Sequence, residues 1–144
     1  MPSLFASVAV AQAPSIEGTY RVSSRTLQDG TVVTPPDVMG LQTSTKTSRN
    51  FNILSKDADG YIVSRSIVAA YTLTPPQYIE TTLFHIFIPG QETRREVSTP
   101  PQRSSVTVEA GRIQFLTEQR VVVYEGHRFT ATGPASVDVW ETVE

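Results

Sequence analysis

From residue 16 to residue 144 the chain alternates. Short runs of β-branched and aromatic residues are separated by Gly, Pro and Asp-Gly sequences, the signature of strands and turns. No stretch carries the apolar spacing of a long amphipathic helix. Strands are predicted over residues 16–27, 40–47, 50–55, 61–73 and 77–88, then over 105–109, 112–117, 120–125, 128–132 and 136–142. Asp29-Gly30 and Asp59-Gly60 are turn dipeptides, because glycine takes the positive φ that a tight hairpin needs. Pro35-Pro36, Pro75-Pro76 and Pro89-Gly90 interrupt the pattern, since proline fixes φ and withholds a donor. Residues 91–104 are polar and contain proline, which predicts a long flexible loop. The spacing predicts an all-β domain, a single antiparallel up-and-down β-barrel of about eight strands.

Length and composition agree with one domain over residues 14–144. The chain has 144 residues and a net charge of −2. A chain of this size buries roughly 68–70% of its unfolded surface, enough for an independent core. The Arg94-Arg95 pair is flanked by Glu92 and Glu96, so no basic stripe for nucleic acid is expected. There is no cysteine, which removes disulfides, thiolate nucleophiles and cysteine-based zinc sites. Residues 4–13 are small and apolar and end in Ala11-Gln12-Ala13, resembling the core and cleavage site of a secretory signal, here without a basic leader. The run is too short to span a bilayer. Residues 1–13 are therefore expected to be a signal remnant or a disordered arm. The first reading makes the protein secreted or periplasmic, and the second leaves it cytoplasmic.

In a barrel, alternate residues point inward. The 61–73 run has one face of Tyr61, Val63, Arg65, Ile67, Ala69, Tyr71 and Leu73. It is the better cavity wall, being large, mostly apolar and singly charged. A buried Arg65 needs a carboxylate, because an unpaired charge costs several kcal/mol. Glu80, Glu118 or an anionic ligand are the partners considered. The 77–88 run is apolar on both faces near its end, so one face must lie outside. A second copy of the chain, forming a homodimer, or the N-terminal arm would cover it.

Other chemistry is sparse. His85 and His127 are the two histidines and have no metal-ligand spacing, so neither a metal nor a cofactor is expected. Asp57-Ala58-Asp59-Gly60 resembles the start of a calcium loop but lacks the closing Glu, and it reads as a hairpin turn. No G-x-S-x-G elbow or Gly-rich phosphate loop occurs. Trp140 reads as a core plug.

Four short signatures stand in order: Gly18-Thr19-Tyr20, Asp29-Gly30, the turn and strand Glu109–Thr117 (EAGRIQFLT), and Val139-Trp140-Glu141. Together they resemble the bacterial lipocalin-like domain of the calycin superfamily over residues 16–142. The chain departs from that pattern in three respects. Tyr20 replaces the usual Trp, Thr43 and Ser44 stand where a tyrosine is common, and Glu141 replaces a basic residue after the tryptophan. The resemblance implies a lipocalin-like barrel that binds a small molecule. The cavity candidates are Tyr61, Val63, Arg65, Ile67, Tyr71, Glu80, His85 and Phe115, facing a small apolar or amphipathic ligand. Two other readings stand beside it. One is an isomerase or cyclase with Glu80, His85 or Tyr71 moving a proton. The other is an interaction module with a filled interior.

Overall fold

The structure, a computed structural model, describes residues 13–89 and 100–143 and the backbone of residues 94–97. The signal-like segment at residues 1–12 lies outside the described residues. Among the described residues twelve strands form one antiparallel sheet. They are β1 (Gly18–Leu27), β2 (Val32–Val33), β3 (Val38–Ser44), β4 (Ser48–Lys56), β5 (Ile62–Thr74), β6 (Gln77–Pro89), β7 (Arg94–Val97), β8 (Gln102–Glu109), β9 (Arg112–Leu116), β10 (Val121–Glu125), β11 (Arg128–Thr132) and β12 (Ser136–Thr142).

Ten of these strands close into a barrel. The order runs β1, β3, β4, β5, β6, β8, β9, β10, β11, β12, and β12 pairs with β1 from Tyr20↔Thr142 to Leu27↔Ser136. The two short strands are additions at edges: β2 pairs with the end of β1, and β7 pairs with the end of β6. These ten match the ten segments predicted from the sequence, two more than the barrel of about eight expected from them. An eight-stranded interior is just wide enough to be filled by side chains, and barrel diameter grows with strand number. Two further strands therefore leave room inside. The result is a closed β-barrel compatible with a calycin-like fold. No helix of the described residues is long and apolar enough to cross a membrane.

The expected loop at residues 91–104 is partly strand. Arg94–Val97 extends the sheet beside Phe84–Phe87, and β8 already begins at Gln102. The Asp-Gly turns form as read. The Asp57 carboxylate accepts the backbone N–H groups of Asp59 and Tyr61 at 3.0 and 2.9 Å, and Gly60 adopts φ +85°. That carboxylate is engaged by its own turn, as an Asx-turn requires.

Two β-bulges set which residues face inward. On β1 the register passes from Val22↔Trp140 to Ser24↔Val139, so Ser23 is an extra residue, and its hydroxyl donates to the Val139 carbonyl at 3.1 Å. On β6 it passes from Ala69↔Thr82 to Val68↔Phe84, so Leu83 is extra. Each bulge reverses the alternation beyond it. Arg25 thereby joins Tyr20 and Val22 on the inner face. His85 and Phe87 join Tyr78 and Glu80, while Phe84 and Ile86 turn outward. The doubly apolar end of the 77–88 run is thus a parity switch within one strand.

The core occupies one end of the barrel. Tyr20, Tyr78, Phe115, Tyr124, Phe129 and Trp140 are buried there with Val22, Val106 and Ile113. Ile16, two residues before β1, is 2% exposed and closes this end. Trp140 is 1% exposed, stacks on Phe129 with ring centres 5.2 Å apart, and lies 5.3 Å from the Phe51 ring. Tyr20 makes edge-on contact with Tyr124 and Phe129, ring centres 5.7 and 5.0 Å apart. Aromatic rings prefer such offset and edge-to-face packing.

Candidate functional site

Above this aromatic floor the inner faces of the strands leave a cavity of about 490 Å³. Its apolar wall is Phe51, Ile53, Ile67, Phe87, Phe115, Val122, Phe129 and Trp140. Phe51 and Ile53 stand two apart along β4, and wall residues pair across the sheet, as Phe51↔Ile67 and Phe115↔Val122 do. A single inward parity therefore builds the wall.

Polar groups lie at two levels. At the mouth, beside the turns at residues 117–120 and 133–135, stand Arg25, Ser55, Arg65, Arg120, Ser136 and Asp138. Arg25 Nε and Nη2 donate to the two carboxylate oxygens of Asp138 at 2.7 and 2.9 Å, and Nη1 donates to Ser55 at 3.2 Å. The guanidinium of Arg65 lies over the Phe87 ring, 4.7 Å from its centre, a cation–π contact.

At the floor a hydrogen-bonded chain crosses the barrel. Tyr78 donates to Glu80 Oε1 at 2.6 Å. Arg49 Nε and Nη2 donate to Oε1 and Oε2 of Glu80 at 2.7 and 2.9 Å. Arg49 Nη1 donates to Gln42 Oε1 at 3.4 Å, and Gln42 Nε2 donates to the Tyr124 hydroxyl at 2.7 Å. Burial alone would raise the Glu80 pKa, but the Arg49 hydrogen bonds and charge, with the Tyr78 hydroxyl, hold it below the usual carboxylate range. Burial would likewise release the Arg49 proton, and Glu80 reverses this, keeping the guanidinium firmly charged. Burial pushes both tyrosine hydroxyls, Tyr78 and Tyr124, well above their ordinary value, so both remain protonated donors.

The structure distributes the sequence-derived candidates unevenly. Val63, Arg65, Ile67, Glu80 and Phe115 line the cavity. Tyr61 does not: it belongs to the turn before β5, is 46% exposed and stands outside the lining. Alternation along the 61–73 run had extended the strand one turn residue too far. Tyr71 is buried at the closed end, stacked on Tyr78 at 5.4 Å, and its hydroxyl donates to the Thr45 carbonyl. His85 pairs with Ile67 in the sheet, its ring 6.1 Å from that of Phe87. Glu80 serves Arg49 rather than Arg65, and Glu118 lies exposed in the 117–120 turn.

Arg25, Gln42, Arg49, Arg120, Tyr124 and Asp138 also line the cavity, and sequence reasoning did not single them out. Arg49 had a legible signal, because it alternates with Phe51, Ile53 and Ser55 on one face of β4. Arg25 had none, since it reaches the interior through the bulge at Ser23. No protein-family model matches the chain, and neither a curated protein nor a solved structure does.

Proposed function

We propose that this protein binds a small, largely apolar molecule inside the barrel. The observation that carries this reading is the cavity of about 490 Å³ walled by Phe51, Ile53, Ile67, Phe87, Phe115, Val122 and Trp140. Its size falls within the range of small-molecule pockets, and a mostly apolar wall with a few placed polar groups is their usual make-up. The resemblance to bacterial lipocalin-like domains points the same way. The carboxylate that an isomerase or cyclase would use as base is already engaged: Glu80 accepts from Arg49 and Tyr78 together. The floor is built to hold and orient, which favours binding over catalysis.

Trp140 is the one tryptophan of the chain and lies against the cavity. Its fluorescence therefore reports occupancy. Titration with 1-aminoanthracene, a small apolar fluorophore, is expected to quench Trp140 with saturation at one dye per chain. Unchanged emission through the dye's solubility limit overturns the reading.

The outer face of β6 favours a homodimer as a second feature. Leu83, Phe84 and Ile86 are exposed there at 48, 40 and 38%, an apolar strip of the kind that marks association surfaces. Light scattering at micromolar concentration is expected to give twice the chain mass, and a monomer mass removes the idea.

A further inference from the structure

The floor chain has a direction, and the direction ends in the cavity. Glu80 is an acceptor only, and it fixes Arg49 through two hydrogen bonds of 2.7 and 2.9 Å. Arg49 is a donor only, so its third contact, at 3.4 Å, must meet the carbonyl oxygen of Gln42. This fixes which way the Gln42 amide points. Its nitrogen then faces Tyr124 and donates to the hydroxyl oxygen at 2.7 Å. The Tyr124 oxygen is thus used as an acceptor, and its own proton must go elsewhere. Among the described residues that proton has no acceptor: the hydroxyl's one hydrogen bond is the one it receives from Gln42. Gln42 is 2% and Tyr124 7% exposed, so solvent outside the barrel does not reach the hydroxyl. Both line the cavity.

We infer that the Tyr124 hydroxyl is a ligand-orienting donor at the cavity floor, and that the ligand is an apolar molecule bearing a neutral carbonyl oxygen at its inner end. This rests on the cavity-binding reading above and adds the chemical class of the ligand. A neutral group fits because the one carboxylate and the one guanidinium at the floor neutralise each other at 2.7 Å. Burial keeps the Tyr124 proton in place. A carbonyl oxygen supplies the acceptor that the walls around it (Phe115, Phe129 and the ring of Tyr20) do not. A hydrocarbon occupying the same position would leave a buried O–H unpaired, which is disfavoured.

The test compares two probes of one shape, 2-nonanone and 2-methyl-1-nonene, which differ by an oxygen in place of a methylene. Each displaces 1-aminoanthracene from the native protein and from two variants. Tyr124→Phe removes the donor. Gln42→Glu keeps the phenol but turns its proton away from the cavity, because a carboxylate at this position accepts from Tyr124. The ketone is expected to lose about three- to tenfold in affinity in both variants, with the alkene moving less than twofold. Gln42→Glu decides the matter alone if Tyr124→Phe does not fold. Equal effects on the two probes, or none on the ketone, overturn the inference while leaving cavity binding intact. Failure of both probes to displace the dye from the native protein overturns the cavity reading and this one with it.

Discussion

Arg25 and Asp138 face one another across the seam where the first and last long strands meet, joined by hydrogen bonds of 2.7 and 2.9 Å. The pair is direct in register, Arg25↔Asp138, and it exists because the extra residue Ser23 turns Arg25 inward. Replacing Arg25 by Met leaves Asp138 partly buried without its fork of donors. The expected cost is about 1–3 kcal/mol, concentrated at the seam. Hydrogen exchange checks this: the amides of Thr26 and Val137 are expected to lose protection before those of the β4–β5 pair. Uniform loss across the sheet contradicts it.

The floor ion pair predicts an asymmetry between single and double replacement. Arg49→Met strands the Glu80 carboxylate and is expected to cost about 3–5 kcal/mol in denaturant unfolding. Arg49→Met combined with Glu80→Met removes both charges and is expected to recover most of that loss. A double variant as unstable as the single one shows that the pair is not the dominant polar contact of the floor.

Acid stability follows from the same pair. The Glu80 pKa is depressed in the folded protein. Its contribution is therefore fully present above the ordinary glutamate range, from roughly pH 5 upward, and is lost as pH falls through the depressed value. Glu80→Gln removes the titrating group. The stability gap between native protein and Glu80→Gln is expected to be widest near neutrality and to close as the pH drops below about 5. A gap independent of pH contradicts the assignment.

Gly40 is held by close approach. A Cβ there would stand 2.7 Å from the Asn52 carbonyl oxygen and 2.7 Å from the Trp140 ring. Backbone on one side and a plugged indole on the other leave neither neighbour free to shift. Gly40→Ala is expected to cost about 1–3 kcal/mol by overpacking and to shift Trp140 emission to the red as the indole is displaced. Native-like emission and stability contradict the packing.

Much of the barrel is legible in the chain, and the exceptions have a common cause. Along β5 simple alternation places Val63, Arg65 and Ile67 on the wall, because no extra residue interrupts the strand. It fails along β6, where Leu83 is inserted: Tyr78 and Glu80 are on the inner parity, but Phe87 reaches it by the opposite count. It fails in the same way at Ser23. A bulge has no residue signature as strong as an Asp-Gly turn, so the side chains beyond it cannot be assigned to a face from spacing. The floor chain was hidden for another reason. Tyr78, Glu80, Arg49, Gln42 and Tyr124 come from four strands, and their meeting depends on barrel closure rather than on any local motif. Of its members Glu80 alone stood among the cavity candidates, and the alternation of Arg49 with Phe51 and Ile53 was the other legible sign.

Binding within the barrel is tested most directly by filling the barrel. Ala131 lines the cavity opposite Asp138, and Ala131→Trp places an indole in the space a ligand would use. Titrated side by side with 1-aminoanthracene, the native protein is expected to bind one dye per chain, and the folded variant to bind at least tenfold more weakly. Equal dye affinity in the two proteins would place the guest elsewhere and contradict the account.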